Sequence, residues 1–314
     1  MFTCISVPTP FQVGRVNAYL AGRTLVDTGP DSEEAWSALL DGLDAAGTRP
    51  AEIERVVVTH PHPDHFGLAA RLREAGASVV ASPAAAEIMA DFAGYLRREQ
   101  DFFREYFQRC GLSAETAETV TNLPEAFLAY APSVETDREL DAGESVTVAD
   151  TAVTADAVEG HAPGENIYTY RQDGQHRALV GDHVLGHITP NPLLQMPVDG
   201  GERPRILPAF NRSLQRLREA DYDHFLPGHG DPIERPTERI DEVLAAHERR
   251  TEQVASLVDG PTTPADVMHG LFEDLPATEQ FSGMSEAVGH LDVLEERGAV
   301  TKRESGDIFV YEPA

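Results

Sequence analysis

The sequence feature that most constrains this chain is a run of six residues at 60–65, HPHPDH, which contains three histidines and one aspartate. With 12 histidines in 314 residues, three histidines at these fixed offsets arise by chance on the order of 0.02 times per chain. The run follows RVVVT at 55–59, whose β-branched residues predict a buried strand. Open sheets place their functional sites at the carboxyl ends of such strands. We therefore expect a functional site at 60–65.

The residue types in this run predict a metal site. In an extended loop His60 and His62 point the same way and can share one metal ion, whereas Asp64 and His65 continue around the turn toward a second ion. Imidazole and carboxylate ligands suit zinc, with iron and manganese as alternatives. The two prolines of the run fix two φ angles, which lowers the entropic cost of presenting the ligands.

Four ligands from one loop cannot complete two metal sites, so further ligands must come from elsewhere in the chain. Three later segments follow strand-like sequence and are flanked by glycine or proline: GHAPG at 160–164, GDH at 181–183 and PGHG at 227–230. They contribute His161, Asp182 and His229. The sequence thus predicts a site for two divalent ions, with zinc as the expected metal.

The order of these motifs, preceded by VDTG at 26–29, resembles the metallo-β-lactamase superfamily, and especially its glyoxalase II-like hydrolases. The resemblance covers residues from about 15 to 230 and implies an α/β fold, an αββα sandwich. It implies that one metal is held by three histidines, that a second is held by three other residues, and that Asp182 bridges the two. These two sets are His60, His62 and His161, and Asp64, His65 and His229. Asp27 would orient ligands without binding metal.

The resemblance also predicts the chemistry. The expected activity is hydrolysis of a small ester, thioester or lactone by a hydroxide that bridges the two metals, and Asp182 or Asp64 would accept the proton. Glu165 stands where glyoxalase II-like proteins often carry another histidine, which predicts a different pocket wall. Two alternatives remain open: an endoribonuclease or phosphodiesterase that uses the same site, and a mononuclear-iron oxygenase similar to persulfide dioxygenases.

Three further residues are candidate contacts for a small-molecule substrate. His183 follows Asp182, and His187 lies in the nearby loop GHITPNP at 186–192. Tyr168 lies in a predicted strand. The alternative for both histidines is a role in a loop or in supporting the ligands, and the alternative for the tyrosine is the hydrophobic core, which is the more common place for a strand tyrosine.

The chain is long enough for one large domain and a small one. We expect a catalytic domain at 1–236 with a helical insertion at about 84–130, which is rich in arginine and aromatic residues and serves as a cover or a lid. Residues 237–314 predict a linker helix and a winged-helix-like domain, whose terminal hairpin turns at 305–307.

A winged-helix tail suggests nucleic acid as a partner, but its charge argues otherwise. The candidate recognition helix at 285–297 has Arg297 as its one basic residue. Its acidic residues are Glu286, Asp292, Glu295 and Glu296. Nucleic-acid readers need a local basic patch, so a structural role or homodimer formation is favoured for the tail.

The overall charge indicates the environment more than the substrate. The formal net charge is −28, with 53 acidic residues against 25 Lys and Arg, and Lys302 is the single lysine. This composition is typical of the cytoplasm of salt-accumulating halophiles, where molar salt screens self-repulsion; repulsion of polyanions is the alternative. No apolar run approaches the ~20 residues of a membrane span. The start of the chain lacks a secretory signal, and Cys4 and Cys110 fit free thiols in a reducing cytoplasm.

Overall fold

The computed structural model of the protein describes residues 1–197 and 200–314, and for 123–126 it describes the backbone only. The chain divides into two compact units. Unit 1 comprises Met1–Ala93, Phe127–Pro190 and Gln215–Ile240, and unit 2 comprises Gly94–Ala126, Asn191–Leu214 and Asp241–Ala314. Within the described residues, no helix has the length and apolar character needed to cross a membrane.

Unit 1 contains two β-sheets. The six strands of the first sheet, in spatial order, are β1 (Thr3–Val7), β2 (Val16–Ala21), β3 (Thr24–Val26), β4 (Arg55–Val57), β5 (Ser78–Ala81) and β6 (Arg138–Glu139). The five strands of the second sheet lie in the order β11, β10, β9, β8, β7. These strands are β7 (Ser145–Val148), β8 (Thr151–Ala157), β9 (Asn166–Gln172), β10 (Gln175–Gly181) and β11 (His224–Pro227).

Helices connect and cover these strands. They are α1 (Glu33–Ala45), α2 (Pro63–Phe66), α3 (Ala69–Glu74), α4 (Pro83–Ala90), α5 (Phe92–Arg109), α6 (Ala114–Asn122), α7 (Ile206–Glu219), α8 (Pro236–Leu257), α9 (Pro264–Leu271) and α10 (Ala277–Glu296). Short 3₁₀ helices occupy Pro50–Glu52 and Leu123–Tyr130. Helix α1 begins where the sequence predicts, because the Ser32 side chain accepts a hydrogen bond from the Ala35 main-chain NH.

The two sheets of unit 1 pack face to face. Val57 and Val80 of the first sheet share one buried cluster with Val153, Tyr168 and Leu179 of the second. Helices α1, α3 and α4 pack on the first sheet. The α/β sandwich expected from the sequence is therefore confirmed, and its core is made by the alternating inward residues of both sheets.

Unit 2 is helical, with one terminal hairpin formed by β12 (Val300–Ser305) and β13 (Ile308–Pro313). Its core joins Phe103 and Phe107 of α5 to Met268 of α9, to Leu291 of α10 and to Tyr311 of the hairpin. The predicted helical insertion was expected to belong to the catalytic domain. Its segment 94–126 instead groups with the C-terminal helices, because the aromatic face of α5 finds its apolar partners there.

Candidate metal centre

The predicted ligands are delivered by the ends of parallel strands. Strand β3 runs parallel to β4, and β10 runs parallel to β11. Asp27 directly follows β3, the HPHPDH run begins three residues after β4, and Asp182 directly follows β10. His229 lies two residues after β11, and His161 lies in the loop between β8 and β9. Because the carboxyl ends of neighbouring parallel strands meet at one edge, the segments after β3 and β4 come together, and so do the segments after β10 and β11.

All seven predicted ligands lie in one cluster within unit 1. One group, the histidine set, consists of His60, His62 and His161, and another, the mixed set, consists of Asp64, His65 and His229. Within each set the potential ligand atoms lie within 4.8 Å of one another. In the histidine set, the Nδ1 atom of His62 is 3.1 Å from His60 Nε2 and 3.0 Å from His161 Nε2.

Asp182 lies between the two sets. Its Oδ2 atom is 3.5 Å from Nε2 of His161 in the histidine set and 3.4 Å from Nε2 of His229 in the mixed set. Its Oδ1 atom is 3.5 Å from His65 Nε2. One carboxylate therefore contacts ligands of both sets, which is where the family resemblance places a bridging residue.

The polar atoms at the centre fit metal ions better than they fit one another. Among the described residues, His65 Nε2, Asp182 Oδ1 and His229 Nε2 are buried and have no hydrogen-bond partner. A buried polar atom without a partner costs about 1–3 kcal/mol, and three such atoms face one small space. Divalent cations would satisfy all three at once, so the donor set fits zinc or a similar ion.

Hydrogen bonds orient three of the imidazoles. His65 Nδ1 donates to Asp27 Oδ2 at 2.8 Å, and His229 Nδ1 donates to the Arg15 carbonyl oxygen at 2.8 Å. His60 Nδ1 lies 3.0 Å from Thr59 Oγ1, whose own hydrogen goes to Asp27 Oδ2 at 2.8 Å. In each ring Nδ1 makes the hydrogen bond to the protein, which leaves Nε2 as the atom available to a metal ion.

The electrostatics separate the two sets. Burial and the neighbouring imidazoles lower the pKa of His60 well below its usual value, and burial together with His161 lowers the pKa of His62 to about 3. Burial alone would also lower the pKa of His229, but the Asp182 carboxylate raises it to about 9. Burial likewise opposes protonation of His65, and the carboxylates of Asp182 and Asp27 raise its pKa well above the usual value. Burial therefore disfavours protonation of His60 and His62, whereas the neighbouring carboxylates favour protonation of His65 and His229.

The pKa values of the carboxylates Asp182 and Asp64 are lowered, whereas those of His65 and His229 are raised. Burial would raise the pKa of Asp182, but His65 and His229 hold it well below its usual value. Burial would likewise raise the pKa of Asp64, and the same two histidines lower it. Both carboxylates are therefore ionised at neutral pH and available as ligands.

Gly228 lets the backbone approach the ligands closely, and Gly164 lets the loop of His161 approach the start of α4. A Cβ atom at Gly228 would lie 2.2 Å from Asp182 Oδ1 and 2.7 Å from His65 Cε1, so no side chain fits there. Gly164 has φ +66°, and a Cβ atom there would lie 2.7 Å from Ser82 Oγ. Lack of space therefore explains Gly228, and space together with the positive φ explains Gly164.

Several supporting residues were not identified from the sequence. The Asn17 side-chain amide donates to the carbonyl oxygens of Pro227 and Gly230 at 3.0 and 2.8 Å, and Tyr19 Oη donates to the Pro227 oxygen at 2.8 Å. Thr59 binds Asp27 through its main-chain NH and its hydroxyl. An asparagine within the apolar strand sequence VNAYLA was the available signal, because buried polar side chains in strands need partners.

The candidate substrate contacts have different outcomes. Tyr168 is fully buried and donates its hydroxyl hydrogen to the Val58 carbonyl oxygen at 2.8 Å, so it belongs to the core. His183 is also fully buried, and its Nδ1 atom lies 3.0 Å from Glu165 Oε2. Neither side chain is exposed to a substrate, which corrects the interpretation for these two residues. His187 is exposed and lies against Gly230, which directly follows the ligand His229. Its contact with substrate stays a prediction.

Comparison with known proteins identifies the family. The model of the metallo-beta-lactamase superfamily matches residues 12–229, which include all seven ligands. The chain belongs to this superfamily. It is also similar to a Bacillus subtilis protein named "Probable metallo-hydrolase YqjP", with 32% identity over 98% of this chain and 96% of the relative. The protein is therefore a metallo-hydrolase of the metallo-beta-lactamase superfamily.

Solved structures of relatives extend the match beyond the catalytic motifs. A metallo-beta-lactamase family protein from Thermus thermophilus has 27% identity and a TM-score of 0.79, covering 100% of this chain and 98% of its own. A beta-lactamase domain protein from Burkholderia ambifaria has 25% identity and a TM-score of 0.77, covering 99% of this chain and 92% of its own. Because the coverage is nearly complete, the residues of unit 2 have counterparts in both structures.

Proposed function

We propose that the protein is a binuclear metal-dependent hydrolase that acts on a small ester, thioester or lactone. The observation that carries the proposal is the position of Asp182, whose Oδ2 atom is within 3.5 Å of one histidine from each ligand set. A single-metal site would not need a carboxylate shared in this way. Zinc is the metal that the imidazole and carboxylate donors suit best.

Two divalent cations held here would lower the pKa of a bound water toward ~7 and would polarise the carbonyl oxygen of the substrate. The chain supplies the rest of the chemistry. The histidine set and the mixed set would hold the ions, while Asp27 and Thr59 orient the rings of His65 and His60. Asp64 and Asp182 are the ionised carboxylates placed to accept a proton as the reaction proceeds.

Access to the site favours a small substrate that approaches from the side of the histidine set. The His65 side chain has 0% exposure and that of His229 has 1%, whereas the His161 side chain has 12%. His62 is likewise partly exposed. A substrate therefore reaches the centre past His62 and His161.

Metal analysis combined with a substrate panel tests the proposal. Protein loaded with zinc at high salt is expected to contain two ions per chain by elemental analysis and to hydrolyse a thioester, ester or lactone. His60→Ala and Asp182→Ala are expected to lower kcat/KM by at least about 100-fold, since each removes a ligand. His269→Ala, at an exposed histidine of unit 2, is the control and should retain full activity. Absence of metal from these seven side chains in zinc-soaked crystals would refute the proposal.

The same experiment separates the alternatives that the sequence leaves open. One iron per chain, with oxygen consumption in place of hydrolysis, would support the oxygenase. Cleavage of RNA together with tight, salt-sensitive RNA binding would support the endoribonuclease, because each phosphate contact adds to the salt dependence of affinity. Two zinc ions and carbonyl hydrolysis support the function proposed here.

A further inference from the structure

A buried acid and histidine lie next to the metal ligands without belonging to either ligand set. Glu165 is 1% exposed and His183 is 0% exposed. Oε2 of Glu165 lies 3.0 Å from His183 Nδ1 and accepts a hydrogen bond from the His161 main-chain NH at 3.4 Å. His161 is a metal ligand, and His183 directly follows the ligand Asp182. One carboxylate oxygen therefore joins the segment that carries His161 to the segment that carries Asp182.

Glu165 is held at this position by its backbone. Its carbonyl oxygen accepts a hydrogen bond from the Val158 main-chain NH at 3.1 Å, which closes the loop that carries His161. The next residue, Asn166, donates its main-chain NH to the Thr59 oxygen at 2.9 Å. The loop is also held at Gly164, whose carbonyl oxygen accepts a hydrogen bond from Ser82 Oγ at 2.6 Å. These hydrogen bonds hold the main chain at 164–166, so the Glu165 side chain is anchored beside the loop that carries His161.

Folding alone does not account for a carboxylate at this place. Glu165 Oε1 is buried and has no hydrogen-bond partner among the described residues. Burying a carboxylate costs several kcal/mol unless it is well paired, and an apolar side chain of the same length would avoid that cost. The carboxylate nevertheless uses its other oxygen to contact the two segments that present His161 and Asp182.

We propose that Glu165 is a positioning residue of the metal centre, which aligns His161 with Asp182 by accepting hydrogen bonds from the His161 main chain and the His183 ring. The inference rests on the proposed binuclear function and adds a residue that carries no ligand atom. It also gives His183 a role: the ring transmits the alignment to the end of β10, and it does not contact substrate. Partners that orient metal ligands typically change metal affinity by about 10–100-fold when they are removed.

Two variants of equal length separate hydrogen bonding from size. Glu165→Gln keeps a side-chain oxygen that can accept both hydrogen bonds, whereas Glu165→Met keeps the length and has no such oxygen. Zinc affinity is measured for both by competition with a chelator. We expect Glu165→Met to weaken the binding of one zinc ion by about 10–100-fold and Glu165→Gln to weaken it by less than about threefold. Equal losses in both variants would overturn the proposal, because charge would then matter in place of hydrogen bonding.

A double-mutant cycle shows whether the effect passes through His161. We expect Glu165→Met to weaken zinc binding in a His229→Ala background, where the histidine set is intact. In a His161→Ala background the further loss should be smaller, because only the contact through His183 to the end of β10 then remains. A loss of the same size with and without His161, or wild-type affinity in Glu165→Met itself, would overturn the proposal.

The control is a buried carboxylate of unit 2. Asp292 is 3% exposed and binds Arg203 at 2.7 Å. Asp292→Asn should lower the free energy of unfolding while leaving zinc affinity unchanged, and a loss of zinc affinity in this variant would also overturn the proposal. If the wild-type protein binds fewer than two zinc ions, the proposed function fails independently of how Glu165→Met and Glu165→Gln compare.

Discussion

Substituting Gly228 by alanine tests the architecture of the metal centre without removing a ligand. The added Cβ atom would lie 2.2 Å from Asp182 Oδ1, 2.7 Å from His65 Cε1 and 3.2 Å from the carbonyl carbon of Gly181. Ordinary contacts of a Cβ atom begin at 3.4 Å, so Asp182 Oδ1 and the new methyl group must separate by about another 1.2 Å. Gly228 is held on both sides, since its NH donates to the Gly181 oxygen and its oxygen accepts from the Asn17 NH. Asp182 and His65 are therefore the groups that must move.

A displacement of this size is large for a metal site. Metal–ligand distances are held to within about 0.2 Å, and a misplacement of about 1 Å can cost about 100-fold in rate. We expect Gly228→Ala to lower the affinity for at least one zinc ion by about 100-fold and kcat/KM by a similar factor. The fold should persist, because the strain is confined to side chains at the edge of the sheets. Metal content by elemental analysis, zinc affinity by competition and unfolding by denaturant measure the three quantities.

Gly186→Ala is the matched control for this prediction. Gly186 is exposed in unit 1, and a Cβ atom there would meet Ile233 Cγ1 at 3.6 Å and the Asp231 oxygen at 3.8 Å, which are ordinary contacts. The control should bind zinc and turn over substrate like the wild type. Full zinc affinity in Gly228→Ala would refute the reasoning, because it would show that Asp182 and His65 are not bound where the structure places them.

Three further predictions concern stability and the remaining candidate residues. Raising KCl from dilute buffer to about 1 M should raise Tm, because salt at that concentration screens charge over about 3 Å and relieves repulsion among the acidic residues; a Tm independent of salt would contradict the halophilic interpretation. Burial lowers the pKa of His247 to about 4. Since the unfolded chain binds this proton near pH 6.5, the free energy of unfolding should fall by up to about 3 kcal/mol as the pH drops from 6.5 to 4. Denaturant unfolding of His247→Gln should lack that part of the loss, and an unchanged loss would exclude His247 as its source. Tyr168→Phe should lower the free energy of unfolding by about 1 kcal/mol and leave kcat unchanged. His187→Ala should raise KM in steady-state assays. A raised KM in Tyr168→Phe, with an unchanged KM in His187→Ala, would show that Tyr168 contacts the substrate and that His187 does not.

The metal ligands could be predicted from the sequence because each belongs to a short motif at a strand end. Once RVVVT is assigned to a buried strand, the position of His60 and its neighbours follows from the rule that sites lie at the carboxyl ends of parallel strands. The structure brings all seven ligands together as expected. Composition and spacing cannot show that Asp182 lies between the two sets, because that depends on the pairing of β10 with β11.

The supporting contacts could not be predicted, because they join residues far apart in the chain. Asn17 reaches Pro227, and Glu165 reaches His183, through hydrogen bonds that no local pattern encodes. The grouping of residues 94–126 with the C-terminal helices was missed for a related reason. The aromatic face of α5 is visible in the sequence, but its partner is not, since apolar residues that follow helical spacing can pack on any complementary surface.

The acidic charge of α10 now has a structural explanation. Helix α10 was the candidate recognition helix, yet its residues 283–294 are buried, apart from partly exposed Glu286. Asp292 binds Arg203 at 2.7 Å, and Glu295 binds Arg205 at 2.8 Å. These two carboxylates therefore pair with arginines of the same unit, and Asp292 is buried. A helix in this position cannot enter a groove of nucleic acid without losing its packing in the core of unit 2.

The two cations of the hairpin are also engaged, which leads to a last prediction. Lys302 Nζ lies 3.8 Å from the centre of the Phe309 ring, and Arg303 binds Glu312 at 2.6 Å. Neither charge is presented alone to a phosphate, so we expect RNA binding by the intact protein to be weak and Lys302→Glu to leave it unchanged. Titration of a labelled RNA at low and at molar salt measures this. The intact chain is the right material, because deleting 261–314 would remove most of the apolar residues that cover α5, and loss of binding after that deletion would reflect unfolding. Tight binding at low salt that disappears in Lys302→Glu would show that unit 2 is a nucleic-acid module after all.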